Sequence, residues 1–316
     1  MARARKRFVV TGAAGFIGSH LVQRLVEEGF EVVGVDNLVT GRLENLSGLL
    51  DRIDFVQDDA GKPGVLKKIL RRGDFVLHQA AIPSVQRSVD DPLSTHYSCV
   101  EVTLKLLLAA REAGVRRVVV AASSSAYGDS EILPKREDMA ARPLSPYAAA
   151  KLAQEQYARA FSVSYGLDTA SLRYFNVFGP RQDPTSQYAA VIPKFITLML
   201  RGERPTIYGD GTQSRDFTYV ENVVRANLLA ARCGGALKGE VLNIACGLRI
   251  DLNDLVAQLN AILGTSIDPL HGPPAPGDVK HSLADISLAK KRIGYEPSVD
   301  FEMGLRLTVD WFREQG

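Results

Sequence analysis

Three glycines in Thr11-Gly12-Ala13-Ala14-Gly15-Phe16-Ile17-Gly18 stand between a short apolar run and an amphipathic stretch whose Leu21, Val22, Leu25 and Val26 share one helical stripe. No other feature constrains the fold as much. This spacing lets a strand turn sharply into a helix, lets the backbone approach a pyrophosphate, and lets the helix pack closely on its strand. A glycine-rich turn alone is common. Here it occupies the first strand-to-helix junction, and β-branched apolar runs at 8–11, 31–36, 54–57, 75–78 and 117–122 go on alternating with helix-length segments. Such alternation implies right-handed βαβ units and a parallel sheet.

The second run ends in Val35-Asp36-Asn37, with Asp36 eighteen residues beyond Gly18. A carboxylate there accepts hydrogen bonds from adenosine ribose hydroxyls and repels a 2′-phosphate, so NAD is the expected cofactor rather than NADP. The expected fold class is α/β: a Rossmann-type doubly wound parallel sheet with a smaller mixed α/β lobe. The chain changes character after Gly179, where Gly179-Pro180-Arg181 and Gly209-Asp210-Gly211 mark irregular loops, while 218–231 and 240–245 read as a helix and strand returning to the sheet. The cofactor domain is therefore expected at 1–178 and 217–246, and the substrate lobe at 179–216 and 247–316.

Composition narrows the partners. A net charge of +2, with basic residues scattered apart from a short cluster at 3–7, argues against nucleic acid. No apolar run approaches the roughly 20 residues that span a bilayer, and the start lacks a signal-peptide core, so a cytoplasmic protein with no membrane partner is expected. Cys99, Cys233 and Cys246 form no close pair and the five histidines show no ligand spacing, so neither a disulfide framework nor a metal site is expected.

Ser145-Pro146-Tyr147-Ala148-Ala149-Ala150-Lys151 reads as an N-cap, a proline at the first helical position, and a helix presenting Tyr147 and Lys151 on one face. A Tyr four residues before a Lys is also an ordinary surface pair. What raises it is Ser123-Ser124-Ser125-Ala126-Tyr127-Gly128 at the end of the fifth apolar run, where ligands of open α/β sheets bind. A free phenol, with its pKa of about 10, is a poor base at neutral pH. One ammonium about 5 Å away contributes about 3 kcal/mol at an effective dielectric of 20, which alone does not bring the phenol to neutrality. The positive nicotinamide of oxidised NAD would supply the remainder.

Together these residues resemble the extended short-chain dehydrogenase/reductase family and, within it, the UDP-sugar 4-epimerases. The likeness extends from Thr11 to about Tyr295 and includes His78-Gln79-Ala80-Ala81, Tyr174-Phe175-Asn176-Val177-Phe178-Gly179 and Tyr208-Gly209-Asp210-Gly211 running on to Arg215-Asp216-Phe217. Ala189-Ala190-Val191-Ile192-Pro193 and the stretch from Gly277 to Asp285 are most similar to the bacterial UDP-N-acetylglucosamine 4-epimerases. The resemblance implies that Tyr147 is the base at the sugar 4-hydroxyl, Lys151 its partner and Ser123 a hydrogen-bond partner of the 4-oxygen. It implies NAD contacts from Gly12, Gly15, Phe16, Ile17, Gly18, Asp36, Asn37, Asp59, Ala60, Gln79, Ala80, Ala81, Tyr147, Lys151, Tyr174 and Val177. For a UDP-sugar it implies Asn176 and Arg215 at the diphosphate, Ser84, Val85, Ser123, Ser124 and Ser125 beside the sugar, and Ala190, Val191 and Tyr208 near uridine, with Asp278 and Ser282 completing the set. Tyr208 and Val85 read equally well as core packing.

Related dehydratases and decarboxylases carry acids where this chain has Ser124 and Ser125, which leaves epimerisation at C4. Ser282 stands where glucose-restricted relatives carry a bulky aromatic, so room for an N-acetyl group is expected, although a serine can also be small for packing reasons. UDP-glucuronate or another nucleotide sugar as substrate, or an idle NAD-binding regulator, are the rival readings. The chain departs from the family at Cys99, usually Asn, at Val102, usually Gly, and at Ala275, often an arginine that grips the diphosphate. A homodimer through helices at 104–113 and 148–160 is a further implication.

Overall fold

The computed structural model describes residues 6–184, 190–274 and 280–315. Strand β1 (Arg7–Thr11) is buried throughout, with Phe8 and Val10 entering one apolar core and Val9 the opposite one. A strand covered on both faces needs helices on both sides, and a parallel βαβ path supplies them. Strands β2 (Glu31–Asp36), β3 (Asp54–Gln57), β4 (Phe75–His78), β5 (Arg117–Ser123), β6 (Thr169–Tyr174) and β7 (Glu240–Ile244) complete a sheet in the order β7-β6-β5-β4-β1-β2-β3. Every neighbouring pair is parallel. The chain moves outward through β2 and β3, then returns to place β4 on the other side of β1. Connections leave β1 and β4 in opposite directions, and a crevice opens at their carboxyl ends.

The helices that matter for the site are α1 (Phe16–Glu27), α2 (Val102–Ala113), α3 (Pro146–Tyr165), α4 (Val191–Leu200), α5 (Val220–Arg232), α6 (Leu252–Leu263) and α7 (Phe301–Gln315). Leu21, Val22, Leu25 and Val26 of α1 form the buried stripe their spacing predicts, and with Val223 and Val224 of α5 they cover one face of the sheet. Leu106, Leu107 and Ala110 of α2, with Ala158 and Phe161 of α3, cover the other. A third core joins Phe195 and Ile196 of α4, Leu255 and Leu259 of α6, and Leu305 and Val309 of α7. The short helix Ser287–Ile293, expected in that lobe, instead packs Ala289 and Ile293 into the sheet-side core, beside β7 and α5.

Helix α3 begins as its sequence dictates. Ser145 Oγ accepts the Ala148 amide at 3.1 Å, and Pro146 occupies the first turn, where no amide donor is needed. A second tie comes from outside the helix: the Tyr147 amide donates to Ser88 Oγ at 3.0 Å. Lower down, Arg173 of β6 makes a two-pronged pair with Glu155 of α3 at 2.9 and 2.7 Å, both side chains buried. That pair fixes α3 against the sheet. Arg173→Met strands the Glu155 carboxylate and is expected to lower the unfolding free energy by about 3–5 kcal/mol in a urea titration, whereas replacing both partners by apolar residues loses much less.

Candidate active site

Gly12 follows β1 with φ +70°, and a Cβ there would stand 2.8 Å from the Ala80 amide nitrogen beyond β4. Gly18 is tighter, since its Cβ would lie 1.9 Å from the Gly12 carbonyl oxygen. Both glycines are therefore steric requirements of the crevice. Gly15 caps α1 without a side-chain hydrogen bond, and the first-turn residues Phe16, Ile17 and Gly18 line the cleft. Helix amides of this kind carry partial positive charge and suit a phosphate.

Asp36, at the end of β2, is held by two backbone donors: Ala14 N to Oδ2 at 2.9 Å and Leu38 N to Oδ1 at 2.8 Å. One carboxylate oxygen accepts more than one hydrogen bond, so capacity remains for a ribose diol. Asn37 and Asp59 join at 3.2 Å, and Asp59 in turn accepts the Gly61 amide. Across the crevice, Gln79 and Tyr174 are braced by Asn227 of α5. Asn227 was not anticipated; its sequence signal is a polar residue interrupting the apolar face of a helix. The bare glycine cradle, the open amides and the Asp36 carboxylate fit a dinucleotide without a 2′-phosphate.

Ser123 ends β5, and its Oγ accepts from Ser125 N at 3.2 Å and Ser125 Oγ at 2.8 Å while bonding the Tyr147 phenol. Lys151 is buried and donates to the Ala121 carbonyl at 2.8 Å, its Nζ 5.9 Å from the centre of the Tyr147 ring. The serine, tyrosine and lysine thus converge at one strand end. Tyr147 keeps surface open to the cleft, yet burial pushes its phenol well above the ordinary value, with Cys99 adding to the rise and the Ser123 hydrogen bond opposing it. Burial also lowers the Lys151 ammonium, against the pull of Cys99 and Glu155. Burial dominates where a lowering by lysine is expected from sequence, and the protein alone holds the phenol protonated at neutral pH.

The cleft measures about 1680 Å³ and takes in every described NAD residue named from sequence, along with Ser84, Val85, Ser124, Ser125, Asn176, Ala190, Arg215 and Ser282. This exceeds the roughly 300–1,000 Å³ of an ordinary small-ligand pocket and suits two nucleotides side by side. Val85 is 49 % exposed within it, so it is not core packing. Tyr208 is 53 % exposed and, like Val191, lies outside the cleft wall. Asp278 and Ala275 lie outside the described residues. Ser282 has a role that its size does not reveal: its Oγ accepts from Asn176 Nδ2 at 3.3 Å and from Asp216 N at 3.1 Å, fixing the turn that carries Asn176. Also unforeseen is an Arg42–Asp183 ion pair of 2.7 Å linking two walls of the cleft. Among the described residues no group of three or more His, Cys, Asp or Glu side chains could hold a metal ion, and no helix is long and apolar enough to cross a membrane.

Residues 8–245 match the model of the NAD dependent epimerase/dehydratase family. The chain belongs to this family. Among its relatives in the family is the UDP-glucose 4-epimerase of Mycolicibacterium smegmatis, 39% identical over 98% of this chain and 99% of the relative. Among solved structures, the UDP-N-acetylglucosamine 4-epimerase of Methanobrevibacter ruminantium, in complex with UDP-N-acetylmuramic acid, superposes with TM-score 0.94 at 43% identity, covering 99% of this chain and 100% of the other. The UDP-glucuronic acid 4-epimerase of Bacillus cereus, in complex with UDP-glucuronic acid and NAD, gives 0.91 at 33%, covering 98% and 100%. The raised phenol can be read in protein stripped of cofactor. The ultraviolet difference between wild type and Tyr147→Phe is expected to show no phenolate below pH 10, because burial raises the pKa; a Tyr147 phenolate near neutrality would contradict the assignment.

Proposed function

We propose that the protein interconverts UDP-hexoses by NAD-dependent epimerisation at C4 through a transient 4-keto sugar, with UDP-GlcNAc/UDP-GalNAc and/or UDP-Glc/UDP-Gal as substrates. The observation that carries this reading is the convergence of Ser123, Tyr147 and Lys151 on a cleft whose other end fits a dinucleotide. Residues 1–178 and 217–246 make up the cofactor domain, and 179–216 with 247–316, apart from the sheet-packed helix Ser287–Ile293, the lobe over the nucleotide sugar.

Tyr147 takes the proton of the sugar 4-hydroxyl and later returns one to the 4-oxygen. The Ser123 hydroxyl donates to the oxygens that gather negative charge there, since its own acceptor side is occupied by Ser125. Lys151, anchored on Ala121, keeps a positive charge under the phenol. The chemistry supplied by bound NAD is reversible uptake of hydride from C4, and its positive ring favours the phenolate that burial opposes. Asn176 and Arg215 bind the diphosphate, Arg215 with the planar fork of donors suited to phosphate. Ser84 and Val85 stand on the sugar side, and Ala190 marks the way to uridine. Ser124 and Ser125 offer no carboxylate for chemistry at C5, which supports inversion at C4 over dehydration. Ser282 leaves space for a 2-acetamido group.

Purified protein given UDP-GlcNAc, UDP-Glc and UDP-GlcA separately, with products separated by chromatography, tests the assignment. Interconversion of the first two is expected, and Tyr147→Phe is expected to lower kcat by at least about a hundredfold, the lower end of the range for losing a general base. Exclusive use of UDP-GlcA would replace the substrate, and no turnover of any would favour a regulator. The protein is further read as a homodimer through α2 and α3, which pack side by side and leave Leu108, Tyr157 and Val163 exposed. Leu108→Glu is expected to shift the light-scattering mass from dimer to monomer.

A further inference from the structure

Beneath the site, four buried polar side chains from four elements meet in an otherwise apolar layer. Thr11 ends β1, His78 ends β4, Thr103 lies in α2, and Gln154 follows Lys151 by one turn of α3. Thr11 Oγ1 lies 2.7 Å from His78 Nδ1, and His78 Nε2 lies 2.9 Å from Thr103 Oγ1. Thr103 Oγ1 donates to the Cys99 carbonyl at 2.5 Å and accepts from Gln154 Nε2 at 2.5 Å. At the near end the Ala80 amide donates to Thr11 Oγ1 at 3.4 Å.

The protons on this chain can be placed by counting. Thr103 has one hydroxyl hydrogen, and the Cys99 carbonyl takes it, so its oxygen must accept from His78 Nε2–H. His78 Nδ1 is then an acceptor, and it takes the Thr11 hydrogen. Thr11 is left to accept from the Ala80 amide. One direction therefore runs without a break from the cofactor loop to the Cys99 carbonyl: Ala80 N–H to Thr11, Thr11 to His78, His78 to Thr103, Thr103 to Cys99, and Gln154 of the catalytic helix donates into it at Thr103.

We propose that His78, as the neutral Nε2–H tautomer, is a positioning residue that sets the helix bearing Tyr147 and Lys151 against the glycine loop. Both ends bear on the chemistry. Ala80 is the residue that Gly12 must approach, and Gln154 shares its helix with both catalytic side chains. The imidazole stays uncharged for two physical reasons, burial and the neighbouring Lys151 ammonium, which together bring its pKa down to about 3. A cationic ring would carry hydrogen on both nitrogens and oblige Thr11 to turn its own hydrogen away.

The role in turnover rests on the epimerase reading; the tautomer does not, which keeps the two failures apart. Nitrogen-15 NMR of ring-labelled holoprotein is expected to show His78 neutral, with hydrogen on Nε2, from pH 5 to pH 8; hydrogen on Nδ1, or a titration in that window, overturns the proposal. In UDP-sugar epimerisation, Thr103→Val and Thr11→Val are each expected to lower kcat about tenfold with KM within about threefold, while Thr103→Ser stays within about twofold of wild type. Because the two threonines meet only through His78, the double variant is expected to be no slower than the slower single one. Losses that multiply, or a fall in Tm with kcat unchanged, would reduce the network to ordinary core structure and overturn the proposal. If Thr103→Val does not fold, Gln154→Met is read in the same cycle with Thr11→Val, to the same two outcomes.

Discussion

The rest of the structure depends on the absence of a side chain at Gly12. The backbone there passes so close to Ala80 that a methyl group would have to displace the end of β4. Because β1 and β4 pair directly, this contact lies at the carboxyl ends of neighbouring strands, where the crevice opens. Gly18 repeats the constraint six residues later, in the first turn of α1, by bringing that helix down onto the same loop. A cleft that receives a dinucleotide and a nucleotide sugar is thus built on two positions where only hydrogen fits.

Electrostatics set a second condition. Tyr147 and Lys151 are both moved by burial toward their uncharged forms. A site built this way is poorly reactive as a bare protein, and a positive charge arriving in the cleft favours the Tyr147 phenolate that burial opposes. The cost of burial becomes a gate, with the cofactor as its trigger. The Arg173–Glu155 pair and the Lys151–Ala121 hydrogen bond keep α3 in place while these charges change.

The departures from the family also acquire physical meaning. Cys99 is wholly buried, packed beside Ala150 in the wide turn Tyr97–Glu101, where its carbonyl and not its thiol receives the Thr103 hydroxyl. Backbone can do this whatever the side chain, so the loss of an asparagine there leaves the connection to α2 intact. Val102 packs into the core between sheet and helices and approaches Gly61, a position where a Cβ would stand 2.9 Å from a valine methyl. The bulk gained at one position is matched by its absence at the other.

Much was legible in the sequence because it depends on neighbours along the chain. The glycine spacing, the Asp36 that ends β2, the Ser145-Pro146 start of α3 and the Tyr147–Lys151 face are local patterns, set by turn sterics, hydrogen-bond capping and the helical repeat. What the chain could not reveal alone depends on contacts between distant segments. The exposure of Tyr208 outside the cleft, the double hydrogen bond that makes Ser282 a brace, the return of Ser287–Ile293 to the sheet and the ordered protons through His78 each join residues that no periodicity connects. Sequence determined which chemistry the chain carries, because that is written in residue types at fixed spacing. Tertiary structure alone decided which hydrogen bonds and burials hold it in place, because those follow from which surfaces meet when the sheet closes.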